Sequence, residues 1–243
     1  MSTIAENVAE AKRRIAAAAE SAGRDPASVR LLAATKMNDA DRVRQAVAAG
    51  VDLCGENRVQ EFLAKNAVNA YAGCGVHFIG TLQKNKVKYL VGAVELIHSV
   101  DSPALMEEIH RRAEKLDTVQ HILLEVNIGE EASKRGAPVS ALPELLRRAG
   151  ELPHLQVRGL MAIPPAEKVP GENRNYFRRM YELFVDIRGK KYDNVLMTEL
   201  SMGMSSDYED AVRCGATIVR LGTALFGPRN YTLQEAPRDG TLR

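Results

Sequence analysis

Two turns near the carboxy terminus carry the residue types that hold phosphate. Ser201-Met202-Gly203-Met204-Ser205-Ser206-Asp207 follows the apolar run 195–200 and leads into residues 208–214, whose spacing is helical. Hydroxyls and backbone N–H groups thereby meet a helix N-terminus, a natural setting for an anion. The second turn, Leu221-Gly222-Thr223-Ala224, follows the strand-like run 217–220 and offers close backbone approach at Gly222 with one hydroxyl beside it. At the other end of the chain, the strand-like run 29–35 ends on a single basic residue, Lys36.

These features share one place only if the chain closes on itself. In an eight-stranded β/α barrel the loops after the last two strands commonly make a phosphate site, and closure sets strand one against strand eight. A lysine ending strand one then opens into the same mouth. An amine beside a phosphate site is the arrangement that holds pyridoxal phosphate as a Schiff base. Taken by itself, a lysine at a strand end is more often a solvated residue.

The elements needed to position these residues are legible in order. Ile4, Val8, Ala11 and Ile15 recur at helical spacing over 4–22, and Gly23 stops that helix. Strand one is expected over 29–36, and Asp39 caps a helix over 41–49 that Gly50 ends. Strands are then expected over 52–55, 77–80, 96–100, 121–127, 157–163, 195–200 and 217–220. Helices are expected over 59–71, 85–91, 103–116, 142–152, 172–188 and 208–214. In the helix 172–188, Phe177, Met180, Tyr181, Phe184 and Ile187 share a face. Eight strands alternating with helices fit either a closed barrel or a large doubly wound open sheet, and the strand count favours the barrel. A barrel over 1–231 leaves 232–243, with few apolar residues, as a loose tail.

Length and composition agree with one such domain, for which about 250 residues is typical; the chain has 243, of which 45% are apolar and 26% charged. A formal charge of +2 gives no footprint for nucleic acid or an anionic membrane. Cys54, Cys74 and Cys214 are scattered, without metal-ligand or redox spacing, and read as reduced cytosolic thiols. The N-terminus lacks an apolar signal core and no run reaches spanning length, so a cytoplasmic location is expected. The five histidines show no ligand spacing, so no metal is expected. Residues 80–88 lack the glycine-lysine-hydroxyl ending of a nucleotide-binding P-loop.

The strings LLAATK, CGENRVQE, HFIGTLQKNK, GLMAI, SMGMSSD and VRLGTALFG, in that order, resemble the YggS/PROSC family of pyridoxal-phosphate-binding proteins, and the likeness spans most of the chain. The resemblance implies a single (β/α)8 TIM barrel of the fold-type III kind, similar to the N-terminal domain of alanine racemase and preceded by an extra N-terminal helix. It implies pyridoxal 5'-phosphate as cofactor, Lys36 as the Schiff-base lysine, and Ser201, Gly222 and Thr223 as phosphate contacts. It further implies that Arg220, otherwise read as a paired arginine lining the mouth, faces the pyridine nitrogen. Asn57 matches a cofactor contact, although Arg58 stands where the family commonly has tyrosine; Thr35 and Met37 likewise flank Lys36 in place of serine and threonine. The implied function is intracellular vitamin B6 homeostasis by a monomer without enzymatic turnover, with pyridoxal-phosphate-dependent apo-enzymes as partners.

Several residues keep two readings. Ser205 or Ser206 is either a phosphate ligand or a plain helix N-cap. Glu56 is a candidate buried ion-pair member. Asn127, Glu131, Lys134 and Gly136 fit a family spacing and read as a mouth loop of unassigned chemistry, while Met161, Met202 and Met204 read as packing. The rival function is a pyridoxal-phosphate-dependent amino-acid racemase, which needs acid–base groups on both faces of the substrate. In alanine racemase a tyrosine from an additional β domain supplies the second. The chain ends about where that domain would begin, and although Tyr208 and Tyr231 are available tyrosines near the mouth, no motif assigns either to catalysis.

Overall fold

The computed structural model describes residues 2–131, 134–166 and 169–228. The expected tail over 232–243, the barrel boundary at 231 and Tyr231 lie outside the described residues.

Eight parallel strands close into a barrel in chain order: β1 (Arg30–Ala34), β2 (Leu53–Glu56), β3 (Gly75–Phe78), β4 (Leu96–Val100), β5 (Gln120–Val126), β6 (Leu155–Ala162), β7 (Val195–Ser201) and β8 (Ile218–Leu221). Closure is made by β1 against β8, with Leu32 opposite Arg220 and Ala33 opposite Leu221. That pairing excludes the open sheet and brings the first and last strands side by side. The helices are α1 (Ile4–Ser21), α2 (Ala40–Ala48), α3 (Val59–Ala67), α4 (Pro103–Lys115), α5 (Leu142–Gly150), α6 (Arg174–Lys190), α7 (Tyr208–Arg213) and α8 (Thr223–Phe226).

Local sequence explains most of these boundaries. Thr3 and Glu6 form a reciprocal capping box at the start of α1, and the apolar stripe from Ile4 to Ala19 is buried. Asp39 caps α2 by accepting the Arg42 amide. Proline stands in the first turn of α4 and of α5, where its missing N–H costs nothing. On α6, Phe177, Met180, Phe184 and Ile187 are buried as the spacing predicts, but Tyr181 is 43% exposed. Its ring lies against Gly215, where an added Cβ would come within 2.3 Å of it.

Two expectations change. The helix expected over 85–91 is a 3₁₀ helix, Lys84–Tyr89, packed through Val87. The run KNKVKY brings no leucine or alanine stripe, and its one buried residue, Val87, gives too little apolar face to hold an α-helix. The turn after β8 continues into the short helix α8, which the Gly222-Thr223 pair did not announce.

The core has two layers. One lies between strands and helices; the other, Leu32, Ala34, Leu53, Ile79, Leu96, Leu123, Met161 and Ile218, fills the barrel itself. Between β6 and β7 the register shifts at Gly159, where φ is +151° and an added Cβ would lie 1.7 Å from the Glu199 carbonyl oxygen. Only glycine allows the two strands to meet there. Among the described residues no helix is long and apolar enough to cross a membrane.

Candidate functional site

The carboxy end of β1 is held from three sides. The Lys65 ammonium donates to the Thr35 carbonyl at 2.8 Å, the Asn38 side-chain amide to the Lys36 carbonyl at 3.1 Å, and the Met37 N–H to Glu61 Oε2 at 2.7 Å. Met37 sits at φ +60°, so the chain turns sharply just past Lys36. The lysine is half-buried, and its backbone is fixed before any ligand arrives.

Behind it lies a wholly buried carboxylate. Glu56 Oε1 accepts from the Lys65 ammonium at 2.7 Å, the Thr35 hydroxyl at 2.5 Å and the Tyr71 hydroxyl at 2.9 Å. Glu56 is therefore the ion-pair member its sequence context suggested, and its partner Lys65 on α3 is itself buried. Burial and the Glu56 charge push the Tyr71 hydroxyl far up, so it remains a donor.

The second turn lies against β1: a Cβ added to Gly222 would meet the Cβ of Ala34 at 3.7 Å and its carbonyl oxygen at 3.8 Å. The amides of Gly222 and Ala224 converge on one oxygen, Ser205 Oγ, at 3.2 and 3.3 Å. Thr223 stands exposed between them. Ser205 thus reaches this turn because Gly203, at φ +89°, folds the chain back after β7; a Cβ there would lie 2.5 Å from that of Ala211. Neither Ser205 nor Ser206 caps α7. Asp207 occupies that position, its carboxylate accepting the Met204 amide at 2.7 Å and the Asn173 side chain at 2.8 Å.

Ser201, expected with Gly222 and Thr223, is placed differently. It ends β7 with no exposed surface, and its hydroxyl accepts from Arg220 Nη1 at 2.7 Å and bonds His98 Nδ1 at 3.1 Å. The structure thus brings Gly222 and Thr223 together with Ser205, and Ser201 together with Arg220. Arg220 also donates to the Ala162 carbonyl at 3.0 Å. Burial lowers its guanidinium to about 10, while Glu125 and Asp207 pull the other way. Glu125, on β5, is pushed up to about 7 by burial and by Asp101, against the pull of Arg220.

Asn57 follows β2 at the same end. Its Oδ1 is buried without a hydrogen-bond partner, and its backbone packs on Gly80, where a Cβ would lie 2.1 Å from the Asn57 carbonyl oxygen. An orphaned acceptor at the mouth fits a ligand that brings a donor. The loop after β5 is tied by Asn127, whose amide donates to the Glu131 carbonyl at 2.9 Å, and by Lys134, which reaches the Pro164 carbonyl at 2.8 Å. Tyr208 packs outside the barrel, under the Arg14 guanidinium. Sequence reasoning passed over Lys65, Glu125, His77 and His98. A charged or imidazole group inside an apolar strand, as in HILLEV or LIHSV, was the available signal. Among the described residues no cluster of histidine, cysteine or acidic groups can hold a metal ion.

A closed barrel that delivers a lysine from its first strand beside an amide-lined turn after its last is the barrel type of the alanine racemases. Residues 2–230 match the family described as alanine racemase, N-terminal domain. An alanine racemase from Streptomyces lavendulae, 16% identical, superposes with a TM-score of 0.68 over 92% of this chain and 57% of that one, a likeness of fold alone. A pyridoxal phosphate homeostasis protein of Aquifex aeolicus is 46% identical over 93% of this chain and 98% of its own length. PipY of Synechococcus elongatus, solved with pyridoxal phosphate bound, is 35% identical with a TM-score of 0.77 over 93% of this chain and all of that one. The chain belongs to the family of pyridoxal phosphate homeostasis proteins.

Proposed function

We propose that the barrel mouth binds pyridoxal 5'-phosphate through a Schiff base on Lys36, and that the chain serves intracellular vitamin B6 homeostasis. The observation that carries this reading is the adjacency of Lys36 to the Gly222 turn, which packs on Ala34 two residues before the lysine. The Gly222 and Ala224 amides already converge on an oxygen, so an anionic oxygen meets donors arranged for it. Ser205 accepts both amides and keeps its own proton to donate. Arg220 supplies a cation for the ring nitrogen, and Asn57 an unused acceptor. When bound, the cofactor supplies an aldehyde for the lysine amine and an electron sink that a permanently charged donor at its ring nitrogen weakens.

Titration of the purified protein with pyridoxal phosphate, followed by its visible absorbance, tests the reading; absence of a saturable spectral change overturns it. Ser205→Ala should raise Kd by about tenfold to a hundredfold, the value of one hydrogen bond to a charged group. An unchanged Kd would place the phosphate elsewhere.

The same reading makes the chain a cytoplasmic monomer that passes the cofactor to apo-enzymes and does not racemise amino acids. Tyr208, one of two tyrosines considered for the second acid–base group, faces α1 and not the mouth. Tyr231 lies outside the described residues; a second acid–base group contributes about 10²- to 10⁴-fold in rate. Solvent deuterium incorporation at the α-carbon of L- and D-amino acids should stay at the level of free pyridoxal phosphate. Turnover near or above about 1 s⁻¹ that vanishes in Lys36→Ala would make the protein an enzyme.

A further inference from the structure

The apolar filling of the barrel is interrupted by a row of polar side chains. Arg220 on β8 meets Ser201 on β7 at 2.7 Å, and Ser201 meets His98 Nδ1 on β4 at 3.1 Å, across the interior. His98 Nε2 lies 2.9 Å from His77 Nδ1 on β3, and His77 Nε2 lies 3.8 Å from Glu95 Oε2. All but Glu95 are buried; Glu95, just before β4, is exposed at the end of the barrel opposite Lys36.

The chemistry of the two ends gives the row a direction. A guanidinium only donates, so Ser201 Oγ accepts from Arg220 and has one proton left. A carboxylate only accepts, so the His77 nitrogen facing Glu95 carries the proton. His77 Nδ1 is then an acceptor, His98 Nε2 its donor, and His98 Nδ1 the acceptor of the Ser201 proton. Every bond points the same way, and aligned bonds in a low-dielectric interior polarise one another.

We propose that Ser201, His98 and His77 are positioning residues for Arg220, linking its guanidinium by a one-way chain of hydrogen bonds to His77, whose far nitrogen faces the Glu95 carboxylate, and so fixing its orientation toward the mouth. This role toward the ring nitrogen rests on the cofactor reading above. Among the described residues Arg220 hydrogen-bonds only the neutral Ser201 hydroxyl and the Ala162 carbonyl, so the chain orients the guanidinium without neutralising it. The chain requires neutral imidazoles. Burial first, then His77, Arg220 and Arg30, hold His98 well below its ordinary range. His77 is also lowered by burial, with Arg30 adding to that and Glu95 and Glu199 opposing it. Arg30 is itself paired with Glu199 at 2.7 Å.

Long-range ¹H–¹⁵N correlation spectra of the cofactor-free, full-length protein at neutral pH should show both His77 and His98 as Nε2–H tautomers. An Nδ1–H tautomer at His98 would overturn the direction of the chain. Glu95→Ala, at an exposed position, should move the His77 ring signals; unmoved signals would remove Glu95 from it. In the loaded protein, His98→Phe should raise Kd for pyridoxal phosphate by about tenfold, the loss of one charge-assisted contact, and shift the visible absorbance maximum. A lowered Tm with the same band and the same Kd would make His98 structural only. If wild type shows no band at all, the cofactor reading fails, and the tautomers still decide the chain.

Discussion

Lys36→Ala should abolish the visible absorbance expected of pyridoxal phosphate on the wild-type protein, and borohydride should no longer fix the cofactor to the chain. The expectation follows from which lysines the fold leaves suited to attack an aldehyde. Lys65 is next to the same strand end, but its ammonium is buried and bonded to Glu56 at 2.7 Å and to the Thr35 carbonyl at 2.8 Å. Surrendering a proton there would strand a buried carboxylate. Lys134 is engaged with the Pro164 carbonyl, on the loop beyond β6. Lys36 lies two residues past Ala34, on which the Gly222 turn packs. The phosphate contacts survive the substitution, so Lys36→Ala should still bind weakly, by equilibrium dialysis, with the spectrum of the free aldehyde. A borohydride-fixed adduct in Lys36→Ala, located by peptide mapping on another lysine, would move the covalent site.

The second large effect is on stability. Lys65→Met should destabilise the protein by about 3–5 kcal/mol, because it leaves the Glu56 carboxylate buried with only neutral donors. Glu56 has no exposed surface, and its second oxygen already lacks a hydrogen-bond partner. Removing both charges, as in Glu56→Gln with Lys65→Met, should recover most of that loss. Urea unfolding at neutral pH measures both variants; a loss below about 1 kcal/mol in the single variant would mean that the pair behaves like an exposed ion pair. The same substitution releases the Thr35 carbonyl, so cofactor attachment at Lys36 should weaken alongside stability.

Much of the site was legible because it depends on features with local signatures. Lys36 closes a run of apolar strand residues, and Gly222-Thr223 follows another, so period and punctuation alone locate both. Asp39 and the Thr3–Glu6 box mark helix starts by side-chain chemistry that acts over three residues. The short 3₁₀ crossover at Lys84–Tyr89 was missed because a few apolar residues fit an α-helical period as well as a tighter one.

The assignment of serines shows where local reading stops. Ser201 and Ser205 lie in one turn-like string, and either type suits a phosphate. The outcome depends on the inward alternation of β7 and on Gly203, which sends Ser201 to Arg220 and His98 and returns Ser205 to the Gly222 and Ala224 amides.

The sequence by itself determined the alternation of eight strands with helices, the lysine at the end of the first strand and the glycine turn after the last, because each is a matter of residue type and short-range period. Tertiary structure alone decided that β1 pairs with β8, that Glu56 meets Lys65 and Tyr71, and that His98 reaches Ser201, 103 positions away in the chain. Those pairings are set by barrel closure and strand register, which bring together inward-facing residues from distant strands. No property of either partner's immediate neighbours encodes that distance.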